Sequence, residues 1–274
     1  MTEPAFVEEL RASAEEAARL AGRILADLFA QARVIEWKGV IDLVTDADRA
    51  SEAALLAFLR KRYPGHTVLA EESGLSAGQG PYRWLVDPLD GTTNYAHRVP
   101  HFCVSIGVEG PEGLLAGVVY EPLRDELFSA GRGQGARLNG QPLATSPTTL
   151  LEHALVCTGF PYDVRERPEV PMSLFAHFVR RVQGVRRMGS AALDLAYVAA
   201  GRFDAFFEAG LKPWDVAAGA LLVTEAGGAV SRFDGAPLVL EGGQVLAAGQ
   251  ALHGALVREA SVALGGGRPS PDGR

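Results

Sequence analysis

Sulfur and lysine are scarce in this chain. Only two cysteines, Cys103 and Cys157, occur in 274 residues, too few for a disulfide framework. Both lie in apolar, strand-like runs, where a buried free thiol is the simplest reading, and a reducing cytoplasm is therefore the expected compartment. The N-terminal stretch "MTEPAFVEELRASAEEAARLAGRIL" has no basic n-region and no unbroken apolar h-region, so no signal peptide is expected. No segment is long and uncharged enough to span a bilayer. Positive charge is short too: three lysines join 23 arginines against 33 acids. The resulting formal net charge of −7 argues against a general affinity for nucleic-acid backbone. Expected partners are small molecules and metals, with no nucleic acid and no membrane. Internal repeats are absent.

What the chain does have is enough apolar material for one large core or two closely packed ones, at 47% hydrophobic and 22% charged residues. Phe6, Leu10, Ala14, Ala17, Leu20, Ala21, Ile24, Leu25 and Leu28 recur at helical spacing, which predicts one long amphipathic helix over the first thirty residues. A second helix follows "DLVTDAD", with Leu55, Leu56 and Leu59 on its apolar face and Pro64-Gly65 closing it. The β-rich runs "TVLA", "RWLVD", "CVSIGVE", "LLAGVVYE" and "ELFSAG" then predict strands, with Asn139-Gly140 of "LNGQ" as a hairpin turn. The expected division is an antiparallel-rich α+β half over 1–145, a βα-type half over 146–264, and a disordered tail over 265–274. In the second half the pattern predicts a strand at "ALVCTGF", helices near 171–183 and 190–200, and a strand at "FDAFFEA". A helix over 213–226, strands "AVSRF" and "VLAA" and a last helix complete it.

Acids gather where these elements end. Glu71 and Glu72 follow strand 67–70, and Asp87 and Asp90 follow strand 83–86. Asp215 falls in the first turn of the helix opened by Pro213, while Asp42, Asp46 and Asp48 stand at the start of the second helix. Gly91-Thr92-Thr93 opens a short helix beside Asp90, and bare helix N–H groups attract anions. Each acid has a bland alternative. Asp46 and Asp48 could be caps, Asp-Pro and Asp-Gly plain turns, Glu71-Glu72 a solvated loop and Asp215 dipole compensation. None of these explains why an apolar strand should end in two carboxylates, which are costly to desolvate unless a cation or donors compensate them. Hard oxygens without a Cys or His set select Mg²⁺ or Mn²⁺ over Zn²⁺. Carboxylates converging beside free N–H groups point to phosphoryl chemistry.

These residues resemble the inositol monophosphatase family in "EES" at 71–73, "DPLDGTTNYAHRVPHFCVSIG" at 87–107 and "PWDVAAGALLVTEAGG" at 213–228. The likeness extends over about residues 5–263. It implies a layered αβαβα sandwich of the inositol monophosphatase / fructose-1,6-bisphosphatase type, usually homodimeric, with two to three Mg²⁺ per site. Glu71, Asp87 and the carbonyl of Leu89 would hold one metal and Asp87, Asp90 and Asp215 a second, with Glu71 or Glu72 near a looser third. Thr92, oriented by Asp48, would help to activate the attacking water, with Glu72 grouped beside them. Gly91 and Thr92 N–H groups would hold phosphate oxygens, and no covalent phosphoenzyme is expected. Ala191 and Glu208 would line the alcohol pocket, where Lys212 replaces a histidine of some relatives. The implied substrate is a small phosphorylated polyol, inositol 1-phosphate first. Fructose 1,6-bisphosphate, histidinol phosphate and adenosine bisphosphates are handled by relatives. A family member acting chiefly as an interaction protein is the alternative from another class.

Competing motifs fail on context. "GLSAG" at 74–78 lacks the strand-then-helix frame of a nucleophile elbow, and "GRGQGA" at 131–136 leads into a hairpin rather than a dinucleotide-binding helix. Cys103 near His101 reads as core packing rather than a reactive thiol. His97 and His101 lack a third soft ligand. The i, i+3 spacing of "DPLD" is taken as a turn rather than the strand extension of aspartyl-phosphate enzymes.

Overall fold

Helix α1 (Glu3–Phe29) buries Leu10, Ala14, Ala17, Ala21 and Leu25, the stripe that its sequence spacing predicts. It begins a computed structural model that describes residues 3–31, 35–37 and 43–265. Asp42 and, Gly265 apart, the tail expected to be disordered lie outside those residues. Strands β1 (Ile35–Trp37) and β2 (Leu43–Thr45) form an antiparallel ribbon that the sequence does not announce. Helix α2 (Asp46–Arg62) follows, capped by Thr45, whose hydroxyl accepts from Ala47 N–H while Asp48 accepts from Thr45 N–H.

Next come β3 (Thr67–Ala70), β4 (Gly74–Ser76), β5 (Arg83–Asp90) and the short helix α3 (Thr92–Ala96). Strands β6 (Cys103–Gly110), β7 (Gly113–Glu121), β8 (Glu126–Gly131), β9 (Ala136–Leu138) and β10 (Gln141–Pro142) complete an eight-stranded sheet. Its order is β10-β9-β8-β7-β6-β5-β3-β4, antiparallel except for the β3/β5 pair. The second half comprises β11 (Leu155–Thr158), α4 (Glu169–Phe178), β12 (Gly184–Arg186), α5 (Ala191–Ala199) and β13 (Ala205–Ala209). After these come α6 (Pro213–Glu225), β14 (Gly228–Ser231), β15 (Gln244–Gly249) and α7 (Gln250–Ala263). Its strands form a mixed sheet ordered β12-β11-β13-β15-β14.

Two expectations need correction. The helix near 171–183 stops at Phe178, because the chain must extend again to pair Gly184–Arg186 with β11. Strand β5 does not stop at Val86 but runs on to Asp90.

Period-two alternation sorts the large sheet's side chains between two layers. Val104, Ile106 and Val108 of β6 pack with α1 and α2, while Cys103 on the opposite face joins the cluster around α5 and α6. Gly107 and Gly117 let α6 lie almost against the sheet: a Cβ on Gly107 would meet the Ala217 Cβ at 2.6 Å, and one on Gly117 would meet the Ala218 backbone at 2.8 Å. Across α5 and α6 the second sheet contributes Phe206, Val245 and Ala247, and its outer face packs Ala205, Phe207 and Leu246 against α4 and α7. The layers therefore run helix, sheet, helix, sheet, helix, which is the αβαβα sandwich expected.

Candidate active site

Asp87 pairs with Ser105 and Asp90 with Cys103, so three steps along β5 oppose two along β6. That one extra residue is a β-bulge. In a regular strand, residues three apart face opposite ways; the bulge cancels this parity, and both acids line one cavity. The "DPLD" segment is thus a bulged strand end rather than a free turn. Gly91 then turns the chain at φ +94°, an angle that disfavours any side chain, with the His101 carbonyl 3.1 Å from where its Cβ would stand.

The cavity, of about 300 Å³, is lined by Glu71, Asp87, Leu89, Asp90, Gly91, Thr92, Ala191, Glu208, Lys212 and Asp215 among others. Apart from Glu72, it gathers the residues that the sequence reading expects to bind metal or substrate. Of the residues expected to act on water, Thr92 lines it directly. Asp48 stands behind Thr92 and accepts its hydroxyl at 3.1 Å, and the same hydroxyl lies 3.0 Å from the Leu89 carbonyl. Asp48 therefore serves both readings, capping α2 with one oxygen and orienting Thr92 with the other. Ser51 donates to the Pro88 carbonyl at 2.9 Å and fixes α2 to the same loop. Glu72 is outside the lining; its N–H donates to Glu52, and its charge bears on Asp48.

Electrostatics follow from this crowding. Burial, then the charges of Glu71, Asp90 and Asp215, hold the Asp87 carboxyl well above the usual carboxylate range. Burial also raises Asp90, against donors from Ser190 and Ala192, and raises Asp215 to about 7. Asp48 is raised to about 6, mainly by burial.

The donor set suits a hard divalent cation. It is all oxygen, and one oxygen of each aspartate is already fixed by the chain. Leu89 N–H donates to Asp87 at 3.0 Å, Ser190 hydroxyl and Ala192 N–H each donate to Asp90 at 2.7 Å, and Lys212 N–H donates to Asp215 at 2.7 Å. Each acid retains a second oxygen with which to meet a cation. Among the described residues, no three His, Cys, Asp or Glu side chains meet as a ready-made metal cage. Glu71 and Asp87 share a side-chain hydrogen bond, so the acids meet in the cavity wall.

On the other side of the cavity, Glu208 is 8% exposed on β13, which removes the loop-acid alternative. Alternation directs it with Phe206 toward the central helices, and Gly159 leaves room for its carboxylate. Ala191 begins α5, and Lys212 is the exposed residue just before α6. The sequence reading missed Asp194, Arg187, Gly159 and Tyr162, all of which line the same cavity. A lone acid inside the apolar helix "AALDLAYVA" was the available signal for Asp194. The histidines stay apart in character, His97 exposed and His101 buried, while Cys103 and Cys157 are free and buried.

Five alternating layers around a cavity walled by carboxylates, with the Gly91 turn beside them, define a class of layered α/β proteins whose site suits a hard divalent cation. The chain belongs to the inositol monophosphatase family, whose model matches residues 7–263. It is 48% identical over 238 residues to the Nus factor SuhB of Pseudomonas aeruginosa, covering 84% of this chain and 88% of that protein. It is 46% identical over 242 residues to the inositol-1-monophosphatase of a Synechocystis species, covering 88% and 84%. The solved inositol monophosphatase of Anabaena (Nostoc) superposes with a TM-score of 0.85 at 44% identity, over 96% of this chain and 98% of that one.

Proposed function

We propose that this protein is a Mg²⁺-dependent phosphomonoesterase that hydrolyses inositol 1-phosphate to inositol and phosphate. The observation that carries the proposal is the β5 bulge, which brings Asp87 and Asp90 to one cavity wall with Glu71 and Asp215, beside the Gly91-Thr92 turn. Glu71, Asp87 and the Leu89 carbonyl would hold one Mg²⁺, and Asp87, Asp90 and Asp215 another, with Glu71 or Glu72 near a third; Mn²⁺ could substitute. Bound there, the cations supply Lewis-acid charge at the attacking water and the leaving oxygen.

The chain's own groups do the positioning. With a pKa of about 6, Asp48 is ionised at neutral pH and accepts the Thr92 proton. The Thr92 oxygen then keeps its lone pairs for a water held against phosphorus. Gly91 and Thr92 N–H groups would steady the phosphate oxygens while the water oxygen bonds to phosphorus and the ester P–O bond breaks, the water's proton passing by way of the Thr92 hydroxyl to Asp48 and the departing alkoxide taking a proton from solvent water. Glu208 and the Ala191 backbone would orient the polyol. Lys212, at the rim, would contact a second phosphate where a substrate carries one. A cytoplasmic homodimer belongs to the same proposal and rests on the family resemblance alone.

The SuhB relatives, named Nus factors, support a second reading, in which the fold acts mainly through protein partners. Phosphate release with Mg²⁺ from inositol 1-phosphate, fructose 1,6-bisphosphate, histidinol phosphate and adenosine 3′,5′-bisphosphate separates the two. Preference for inositol 1-phosphate is expected; preference for the fructose ester would move the substrate but keep the chemistry. No release from any of the four would favour the interaction protein.

A further inference from the structure

Glu52 is an acid where the apolar stripe of α2 calls for a hydrophobe. It shares a helix face with Leu55, Leu56 and Leu59 and is 5% exposed. Charged side chains reach such burial only when paired or hydrogen-bonded, and the Glu52 carboxylate accepts the Glu72 N–H at 2.9 Å. Asp48 and Ser51, also buried, belong to the same face by their i, i+3, i+4 spacing. Asp48 accepts the Thr92 hydroxyl at 3.1 Å, and Ser51 donates to the Pro88 carbonyl at 2.9 Å. One face of one helix therefore grips three separate segments of the site: the Glu71-Glu72 turn, the Pro88-Leu89 step of β5 and Thr92 at the start of α3.

The Glu71-Glu72 turn is the segment that most needs such a grip. It forms the tip of the β3/β4 hairpin, in which Ala70 pairs with Gly74, and β4 is the three-residue edge of the large sheet. Leu75 on that edge is 65% exposed, so little apolar packing steadies it. Two successive N–H groups tie the tip to two different elements. Glu71 N–H donates to the Val86 carbonyl of β5 at 3.1 Å, which continues the β3/β5 pairing, and Glu72 N–H reaches across to Glu52 of α2. One bond would leave the tip free to pivot about β5; the second sets its angle, and a bond to a carboxylate is the stronger kind. Glu71 lines the cavity and Glu72 does not. Glu72 thus supplies the anchor, while Glu71 faces the site.

We propose that Glu52 is a positioning residue for cation binding: by accepting the Glu72 N–H it holds the β3/β4 tip where Glu71 can meet the same cation as Asp87. It works as a hydrogen-bond acceptor and touches neither cation nor substrate. This rests on the Mg²⁺-dependent reading given above and adds to it a residue outside the cavity lining.

The test titrates Mn²⁺ into the full chain without any ester, reading the free ion by its electron paramagnetic resonance signal, in wild type, Glu52→Leu and Glu52→Gln. Leucine continues the apolar stripe of α2 and cannot accept a hydrogen bond, whereas glutamine keeps an acceptor oxygen; Glu52→Ala makes the same comparison if leucine prevents folding. Residues that orient metal ligands typically change affinity 10- to 100-fold when removed, so Mn²⁺ affinity should fall about tenfold in Glu52→Leu and return to near the wild-type value in Glu52→Gln. Amide exchange at Glu72 should quicken in Glu52→Leu alone. Equal affinity in all three proteins would overturn the inference and leave the phosphatase reading standing. Equal loss in Glu52→Leu and Glu52→Gln would also overturn it, because Glu52 would then act by its charge. The expected pattern without hydrolysis of any ester would uphold Glu52 and sink only the phosphatase reading. Absence of Mn²⁺ binding by wild type would overturn both.

Discussion

Replacing Gly159 by alanine tests the proposed alcohol pocket where the chain runs closest behind Glu208 Oε2. A Cβ built on Gly159 would lie 2.1 Å from Glu208 Oε2 and 2.4 Å from its Cδ, whereas ordinary contact begins at 3.4 Å. The carboxylate must therefore retreat by about 1 Å, the scale of misplacement that costs up to about 100-fold in an aligned reaction. The atom displaced is the end of a flexible side chain, so the fold can absorb the methyl group at little cost in stability. Gly159→Ala should accordingly keep its thermal midpoint within a few degrees, while kcat/KM for inositol 1-phosphate falls about 10- to 100-fold. With p-nitrophenyl phosphate, which has no hydroxyl for Glu208, the loss should be much smaller. Steady-state kinetics on both esters, with calorimetry on the same samples, would decide. An equal loss on both, or no loss on either, would refute the placement of Glu208 against the substrate alcohol.

Gly117→Ala should push α6 from the sheet, since the new methyl would meet Ala218 backbone at 2.8 Å; overpacking of this kind costs about 1–3 kcal/mol, readable as a lowered denaturation midpoint. The site carboxylates are harder to ionise in the fold than in the unfolded chain, where 3.8 is the ordinary aspartate value. In metal-free protein their contribution to stability should be full below that pH and lost as pH rises through about 6 and 7, where Asp48 and Asp215 ionise. Thermal melts across that range, repeated with Mg²⁺, should show the cation stabilising more at higher pH; a pH-independent Mg²⁺ effect would contradict the carboxylate ligand set. Burial raises both cysteine thiols, so a thiol reagent should label neither Cys103 nor Cys157 until the protein unfolds. Rapid labelling of the native protein would contradict their packing.

Much of this arrangement can be read from the amino-acid order, because local rules and tertiary needs agree. The apolar stripe of α1 and the alternation in "CVSIGVE" each name a face, and the structure uses those faces. Asp48 and Asp215 look like helix caps and are caps; what spacing alone does not state is that both also serve the cavity. The β5 bulge escaped because it depends on pairing with β6, a non-local fact that "DPLD" cannot carry by itself. The three-residue strands β1, β2 and β12 are too short to set a period. Asp194 and Gly159 were missed for a related reason, since Asp194 faces His101 and Gly159 faces Glu208, each distant in sequence and adjacent only once the layers pack.

The central claim is that β5 carries cation-binding acids for phosphate-ester hydrolysis. The most direct test is a Mg²⁺ titration of phosphate release from inositol 1-phosphate by wild type and Asp90→Asn. This substitution keeps the shape of the side chain and removes its charge. The account predicts saturable Mg²⁺-dependent release by wild type and a fall of orders of magnitude in the variant, with the melting curve nearly unchanged. Release that persists in Asp90→Asn, or that does not depend on Mg²⁺, would contradict it.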